Sequence, residues 1–182
     1  MGWPKLTMPW RDSTVIEHVL SAWKASRVCH VIIVVRPDDR ELADACRQCG
    51  IEPVIPVNSP AEMKISVAIG LDHIQQIYAP SKKDAWLLAP ADLPELNLSV
   101  IDRLLDEHES DATSILVPTY EGRRGHPVIF PWRIAREVQS LRQDEGVNAL
   151  LSKHPVRKME VSDASILEDL NTPEDYMRLR DA

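Results

Sequence analysis

The sequence lacks the features that mark membrane, secreted and nucleic-acid-binding proteins. No apolar run approaches the ~20 residues that a transmembrane helix needs. The first residues, Met1 to Lys5, contain no apolar stretch of the kind found in signal peptides. Basic residues are in the minority, with 21 Lys and Arg against 28 Asp and Glu, so no basic stripe for nucleic acid is expected. These absences predict a cytoplasmic protein that contacts neither a membrane nor nucleic acid.

Cysteine is scarce as well, and the three cysteines do not make a disulfide framework. Cys46 and Cys49 have the C-x-x-C spacing of redox and zinc sites, but the sequence has no second pair. Both fall on the apolar stripe that contains Leu42, so we interpret them as helical core residues. The remaining composition, 44% hydrophobic and 27% charged over 182 residues, is that of one globular domain with a buried core.

Helical and extended patterns alternate along the chain, which indicates an α/β fold. Strands separated by helices of about ten or more residues predict a mostly parallel sheet covered on both faces. We expect one three-layer α/β/α domain, Rossmann-like, over residues 1–182. The run Val31 to Val35 is β-branched and does not alternate, as in a strand buried on both faces. Further strands are predicted at 53–57, 85–89, 114–117, 127–130 and 157–161, and helices near 15–23, 42–49, 67–77, 100–105, 134–141, 147–151 and after 173.

Asp92 is the first candidate for a functional residue. It follows the predicted strand 85–89 and lies between Pro90 and Pro94, and ligands of open α/β sheets bind beyond the carboxyl ends of the strands. Its carboxylate suits a hard cation such as Mg²⁺. The alternative is a turn or capping aspartate with no ligand.

Asp169 and Asn171 are the second candidate pair. They are two residues apart on a predicted extended segment, so their side chains share a face. Both offer oxygen atoms to a cation. The alternative is that Asn171 or Thr172 caps the last helix.

Two cationic segments are candidates for phosphate binding. Arg123 and Arg124 lie between two glycines in a turn, where guanidinium groups can meet phosphates or an anionic acceptor. A solvated hairpin is the alternative. Lys5, directly after Pro4, could neutralise a triphosphate, although a lysine near a terminus is usually only exposed to solvent.

The order and spacing of these segments resemble the MobA-like nucleotidyltransferases of molybdenum-cofactor maturation. Those enzymes open with a strand and a loop of the form L-A-A-G-x-S-x-R-M-G-x-P-K-L-x-L-P, whose second half is similar to Met1 to Pro9. The likeness continues through 14–20, 66–71, 91–94, 122–130 and 166–176, which covers nearly the whole chain. The segments 125–130 and 169–176 resemble the cytidylyl-transferring (MocA-like) branch more than the guanylyl-transferring branch.

The resemblance implies transfer of CMP from Mg²⁺-bound CTP to a phosphorylated molybdopterin-type acceptor, with release of pyrophosphate. It also implies a role for each matching residue. Asp92 would bind the metal with Asp169 or Asn171 as the second ligand, and Lys5 would contact phosphate. The implied nucleotide-binding residues are Gly2, Pro4, Lys5, Ser66 and Pro90, and the implied acceptor-binding residues are Arg123, Arg124 and His126. A molybdoenzyme is a candidate protein partner.

The sequence departs from the family pattern at its start. It begins at the internal Met-Gly of the motif, so the opening strand and the glycine half of the loop are absent. That half would place backbone N–H groups around a triphosphate, and loss of the strand would leave two unpaired edges inside the sheet. We hypothesise a start assigned too late or a shortened chain. In-frame upstream codons without a strand and a Gly-rich loop would rule this out.

Three internal departures concern the acceptor and the metal. Lys64-Ile65 stands where small hydroxyl residues are usual, Asn148 where an arginine is common, and Asn171 where an aspartate is commoner. The alternative functions are GMP transfer to the same acceptor, nucleotidyl transfer to a sugar or alcohol phosphate, and a non-catalytic nucleotide-binding remnant.

Overall fold

The computed structural model describes residues 4–180, in which helices cover both faces of a five-stranded sheet. The helices are α1 (Val15–Ala25), α2 (Arg40–Gln48), α3 (Met63–Tyr78), α4 (Leu98–Ser110), α5 (Leu150–Lys153) and α6 (Pro173–Arg180). The strands are β1 (Pro9–Trp10), β2 (Ser13–Thr14), β3 (Ala85–Leu88), β4 (Ile115–Tyr120), β5 (Arg123–Arg124), β6 (Val128–Pro131) and β7 (Val156–Glu160). Short 3₁₀ helices cover Lys5–Thr7, Trp132–Ser140, Val147–Ala149 and Ala164–Leu167. The predicted α/β class is confirmed.

The pairing of the strands is less parallel than the sequence predicted. The order is β3-β6-β4-β5, with β7 also paired to β4. The β3–β6, β6–β4 and β4–β5 pairs are antiparallel, and β4–β7 is parallel. Because β6 inserts antiparallel between β3 and β4, the strands β3, β4 and β7 still point in one direction. Their carboxyl ends therefore lie at one edge of the sheet, together with the start of β6.

The two faces of the sheet form separate core layers, because successive side chains of a strand point to opposite faces. One face packs against α3 and the 3₁₀ helix Trp132–Ser140, through a cluster that includes Leu71, Trp86, Val117, Phe130 and Ile134. The other face packs against α4, through a cluster that includes Val100, Leu104, Leu116 and Ile129. This is the predicted three-layer arrangement.

The run Val31 to Val35 differs most from its prediction. Within residues 4–180 it forms a single parallel bridge, Val34 with Val54, instead of a strand. Val35 N–H donates to the Val54 carbonyl at 3.0 Å, and Val54 N–H donates to the Ile33 carbonyl at 2.9 Å. A strand needs a continuous partner for its backbone groups, and neither this run nor the second edge of β3 has one in the described chain. The predicted strands 31–35 and 53–57 are therefore reduced to this bridge.

The predicted helix ends are largely confirmed. α2 ends before Gly50, which has a φ of 73° and so adopts the left-handed conformation that glycine permits. Cys46 is fully buried on α2, as predicted, and burial raises its thiol pKa to about 11. At α6, the Thr172 hydroxyl accepts from Asp175 N–H at 3.1 Å while Thr172 N–H donates to the Asp175 carboxylate at 3.0 Å. Thr172 is thus a capping residue.

Other local predictions need correction. The helix predicted near 15–23 covers Val15–Ala25, and Thr14 caps it through a reciprocal pair of hydrogen bonds with Glu17. The predicted helix near 134–141 is a 3₁₀ helix, and the one near 147–151 is partly so. In residues 4–180, no helix has both the length and the apolar character that a membrane span requires.

Candidate functional site

Three segments that are distant in sequence meet beyond the carboxyl end of β3. Lys5 lies on the first 3₁₀ helix, and its Nζ donates to Oδ2 of Asp92 and, at 2.8 Å, to the carbonyl oxygen of Leu170. Leu170 N–H donates in turn to the carbonyl oxygen of Asp92 at 2.9 Å. The side chains of Lys5 and Asp92 are 29% and 14% exposed. We call Lys5, Asp92 and the Leu170 backbone the lysine–aspartate centre.

Asp169 and Asn171 flank the Leu170 contact on the C-terminal segment. The Asn171 amide nitrogen donates to Oδ2 of Asp169 at 2.7 Å, and Asn171 N–H donates to the Asp169 carbonyl oxygen at 3.1 Å. These contacts hold the two side chains on the same side of the segment, as their spacing predicted. They lie one residue on either side of the backbone that touches Asp92.

Gly125 and His126 join the turn before β6 to the C-terminal segment. Gly125 N–H donates to the Pro118 carbonyl, and His126 N–H donates to the Ile166 carbonyl, both at 2.9 Å. A Cβ added at Gly125 would lie 2.5 Å from the Ile166 carbonyl oxygen. Only glycine permits this approach of two backbones, so Gly125 fixes His126 beside the C-terminal segment.

His126 is electrostatically linked to both carboxylates. Burial lowers its pKa, while the hydrogen bond between Nδ1 and the Leu88 carbonyl oxygen (3.4 Å) and the charges of Asp169 and Asp92 act in the opposite direction. Burial is the largest of these effects. Burial therefore favours the neutral imidazole, which contacts the end of β3 through the Leu88 carbonyl oxygen.

Arg123 and Arg124 form β5, an exposed two-residue strand at the outer edge of the sheet. Among the described residues, neither guanidinium group has an ion pair or a side-chain hydrogen bond. We call this pair the cationic hairpin. Unlike the lysine–aspartate centre, it presents its charge to solvent.

The remaining predicted nucleotide-binding residues are less closely associated with the lysine–aspartate centre. Pro4 is exposed before the first 3₁₀ helix, and Pro90 is half-buried between β3 and Asp92. Ser66 is half-buried in the first turns of α3. Its backbone N–H bonds to Glu62, and within residues 4–180 its side chain makes no hydrogen bond to Lys5 or Asp92. Gly2 lies outside the described residues.

Two contacts near these segments were not predicted. Lys64, noted only as a departure from the family pattern, donates to the carbonyl oxygens of Arg142, Gln143 and Glu145 at 2.7, 2.8 and 3.0 Å. It therefore ties the start of α3 to the turn 142–146. Arg11, whose φ is 50°, donates to the carboxylate of Glu95 at 2.8 and 3.0 Å. No spacing in the sequence signals either contact, because the partners are about 80 residues apart.

The residues of the site suit a cation that is shared with phosphate. Within the described chain, no three His, Cys, Asp or Glu side chains are grouped to hold a metal by themselves. Mg²⁺ is commonly held by one or two carboxylates together with substrate phosphates. Asp92 and Asp169, both of which act on His126, are the carboxylates available to a cation in this part of the structure.

A separate cavity of about 440 Å³ lies away from this site. Its lining includes Cys29, His30, Glu52 and Tyr78, and the His30 and Tyr78 rings stack at 3.6 Å. Neither member of the Lys5–Asp92 pair borders it. The cavity therefore does not belong to the candidate site.

Solved structures share this fold over the whole chain. Rv0371c from Mycobacterium tuberculosis H37Rv is 25% identical with a TM-score of 0.84, covering 100% of this chain and 92% of that one. The complex of Rv0371c with manganese gives 24% identity and a TM-score of 0.81, covering 100% of this chain and 94% of that one.

A relative from Bacillus anthracis, named "Probable molybdenum cofactor guanylyltransferase", is 24% identical over 185 residues, 97% of this chain and 88% of the relative. Residues 1–158 match the family model described as "MobA-like NTP transferase domain". The protein is therefore a nucleotidyltransferase. The chain belongs to the MobA-like NTP transferase family, as the sequence motifs predicted.

Proposed function

We propose that residues 1–182 act in the cytoplasm as one domain that transfers CMP from metal-bound CTP to a phosphorylated molybdopterin-type acceptor. The main support is the meeting of Lys5, Asp92 and Leu170 beyond β3. Ligands of open α/β sheets bind at such strand ends. Cytidylyl transfer is favoured by the motifs at 125–130 and 169–176, whereas the name of the Bacillus anthracis relative favours GTP as the second candidate donor.

The proposed reaction needs alignment more than a covalent nucleophile. An oxygen of the acceptor phosphate attacks the α-phosphorus of CTP, so a new O–P bond forms as the bond to the bridging oxygen of the β-phosphate breaks. Pyrophosphate leaves with that oxygen. Holding the two anions in line supplies much of the rate, and cations offset the charge on the transferred group and the leaving group.

Each part of the site has a proposed role in this reaction. Asp92 would hold Mg²⁺, with Asp169 or Asn171 as the second ligand, and the cation would offset phosphate charge. Rv0371c, a structural neighbour, has a complex with manganese. Lys5 would contact the triphosphate, and Gly2, Pro4, Ser66 and Pro90 would line the nucleotide site. Arg123, Arg124 and His126 would bind the acceptor, and a molybdoenzyme would be the recipient of the product.

Pyrophosphate release tests the proposal directly. The full chain is incubated with Mg²⁺, a phosphorylated pterin acceptor and CTP, GTP or ATP in parallel, and we expect the fastest release with CTP. Asp92→Ala should abolish release, while Asp38→Ala, at an exposed turn residue, should not. Activity of Asp92→Ala equal to that of the parent would refute the assignment of the site.

Nucleotide binding separates an enzyme from a non-catalytic remnant. A nucleotide at a hundredfold excess over its Kd should stabilise the fold by about 2.7 kcal/mol, which a thermal shift detects. The shift should be largest with CTP and Mg²⁺ together. Absence of any shift with CTP, GTP and ATP would favour the remnant.

A further inference from the structure

Lys5 uses the oxygen atoms that a cation at Asp92 would need. Its Nζ binds Oδ2 of Asp92 and lies 2.8 Å from the carbonyl oxygen of Leu170. The Asp92 side chain is only 14% exposed, so a second cation has limited access to the carboxylate. The ammonium group thus occupies one of the directions from which a metal would approach Oδ2 of Asp92.

An ammonium group and a divalent cation oppose each other at this carboxylate, because both carry positive charge and both bind its oxygen atoms. Mg²⁺ binds carboxylate oxygens at about 2.0–2.1 Å, and an ammonium group donates at about 2.7–2.9 Å. Both at once would hold two positive centres about 4 Å apart at a side chain that is only 14% exposed, where their repulsion is poorly screened. In residues 4–180, Lys5 Nζ has no acceptor other than Asp92 and Leu170. Displacement by a metal alone would therefore leave a half-buried ammonium group without its anion, which is unfavourable.

A triphosphate removes this conflict because it offers Lys5 another anion. Phosphate oxygens accept strong charge-assisted hydrogen bonds from ammonium groups. Lys5 can then leave Asp92 for phosphate while the cation takes its place on the carboxylate. Binding of the triphosphate therefore strengthens binding of the cation, and binding of the cation strengthens binding of the triphosphate by the same factor.

We infer that Lys5 is an internal competitor of the divalent cation, so that the metal binds Asp92 tightly only when a triphosphate draws Lys5 away. The inference rests on the proposed metal-dependent function. Before substrate binds, Lys5 acts as a positioning residue that keeps Asp92 and the Leu170 segment together.

Binding of Mn²⁺ to the full chain without nucleotide tests the competition, with free Mn²⁺ measured by electron paramagnetic resonance. Lys5→Met should bind Mn²⁺ at least about tenfold more tightly than the parent, a factor that corresponds to about 1.4 kcal/mol. Asp92→Asn in the Lys5→Met background should remove the gain, because the gain acts through that carboxylate. Lys24→Met also removes one positive charge, but Lys24 Nζ binds the Cys49 carbonyl oxygen at 2.6 Å. It should leave Mn²⁺ affinity unchanged.

The parent protein provides a test that does not depend on folding of a variant. Saturating Mn²⁺ alone should increase reductive methylation of Lys5, measured by mass spectrometry, because the ammonium group is displaced. Lys64, held by three carbonyl oxygens, should be methylated at an unchanged rate. A non-hydrolysable CTP analogue should tighten Mn²⁺ binding more in the parent than in Lys5→Met.

Either of two binding results would overturn the inference: Lys5→Met binds Mn²⁺ no more tightly than the parent, or Lys24→Met gains as much affinity. An unchanged methylation rate of Lys5 with Mn²⁺ would do the same. Failure of the proposed function gives a different result, namely no pyrophosphate release with any nucleotide while the gain in Lys5→Met persists.

Discussion

The lysine–aspartate centre and the cationic hairpin both contain positively charged side chains, but in opposite settings. At the centre, Lys5 is paired with Asp92 and with the Leu170 carbonyl, and the aspartate side chain is largely buried. At the hairpin, Arg123 and Arg124 are exposed and have no charged partner among the described residues. Removing one member of a buried ion pair destabilises the fold, because the other member is left without its partner. An exposed charge without a partner contributes little to stability and is available to a ligand.

This difference predicts two kinds of mutational effect. Changes at the centre should alter both the free energy of unfolding and the chemical step, because the same atoms serve both. Changes at the hairpin should alter the binding of an anionic ligand and leave the free energy of unfolding nearly unchanged. Gly125 and His126 follow the cationic hairpin in sequence, and His126 contacts the C-terminal segment that also forms the lysine–aspartate centre. Changes at these two residues test whether stability and chemistry are coupled there as well.

Asp92→Asn should have the largest effect. Replacing the carboxylate by a neutral amide of the same shape removes the charge that holds both Lys5 and the proposed cation. We expect kcat/KM for pyrophosphate release to fall by on the order of 10²–10³, as for loss of one electrostatic group at a reacting centre. Asp38→Asn is the matched control, since Asp38 is exposed in a turn. Equal kcat/KM values for the two variants would show that Asp92 has no part in the reaction.

Gly125→Ala should have the next largest effect, on stability. The added Cβ would lie 2.5 Å from the Ile166 carbonyl oxygen, so one backbone must move. Overpacking of this kind costs roughly 1–3 kcal/mol, which lowers Tm by roughly 2–4 °C per kcal/mol in a chain of this size. Gly146→Ala is the control, because Gly146 has a φ of −95° and no atom within 4 Å of an added Cβ. Similar Tm values for both variants would contradict the close approach.

The sequence was most informative where local pattern decides the structure. The strand 85–89 and the Thr172-Pro173 helix start were predicted because buried runs and capping residues are local signals. The position of Asp92 just after this strand was also predicted from a local signal, namely a polar residue that follows a buried run. The run Val31 to Val35 has the composition of a strand, yet it forms one bridge, because a strand also requires a partner that composition does not reveal. The insertion of β6 between β3 and β4 was missed for the same reason.

The contacts of the candidate site depended on the tertiary fold. Lys5 meets Asp92 across 87 residues and Leu170 across 165, and only the family resemblance placed these segments in one site. The role of Lys64 had no signal in the sequence, since its acceptors are backbone carbonyl oxygens. Backbone acceptors are present at every residue and carry no sequence pattern.

Arg124→Gln should have a smaller effect, confined to binding of the acceptor. Loss of one exposed guanidinium group should raise KM for the phosphorylated acceptor by about tenfold while kcat stays nearly constant, as expected for an interaction present in both ground and transition states. Tm should not change, because Arg124 has no ion pair in the described chain. Arg136→Gln, also exposed, is the control. A drop in kcat without a change in KM would place Arg124 in the chemical step instead.

The pH dependence of His126 should be the smallest effect. Burial lowers its pKa in the folded protein, whereas an unfolded histidine titrates near 6.5. Between these two values the unfolded state binds more protons, so the free energy of unfolding decreases as the pH falls from above 6.5 through the folded pKa. The slope for one proton is at most about 1.4 kcal/mol per pH unit. Urea denaturation at pH 5.5, 6.5 and 7.5 measures it, and His126→Gln should make the decrease shallower.

The dependence should diminish rather than vanish in His126→Gln, because burial also lowers the pKa of His18 and His108. Asp169→Asn provides the sharper comparison. The Asp169 carboxylate opposes the effect of burial on His126, so its removal should lower the histidine pKa further and steepen the loss of stability at acidic pH. A slope identical to that of the parent would mean that Asp169 does not act on the imidazole. The carboxyl ends of the strands would then not form one electrostatic unit, and a cation shared by Asp92 and Asp169 would lose its support.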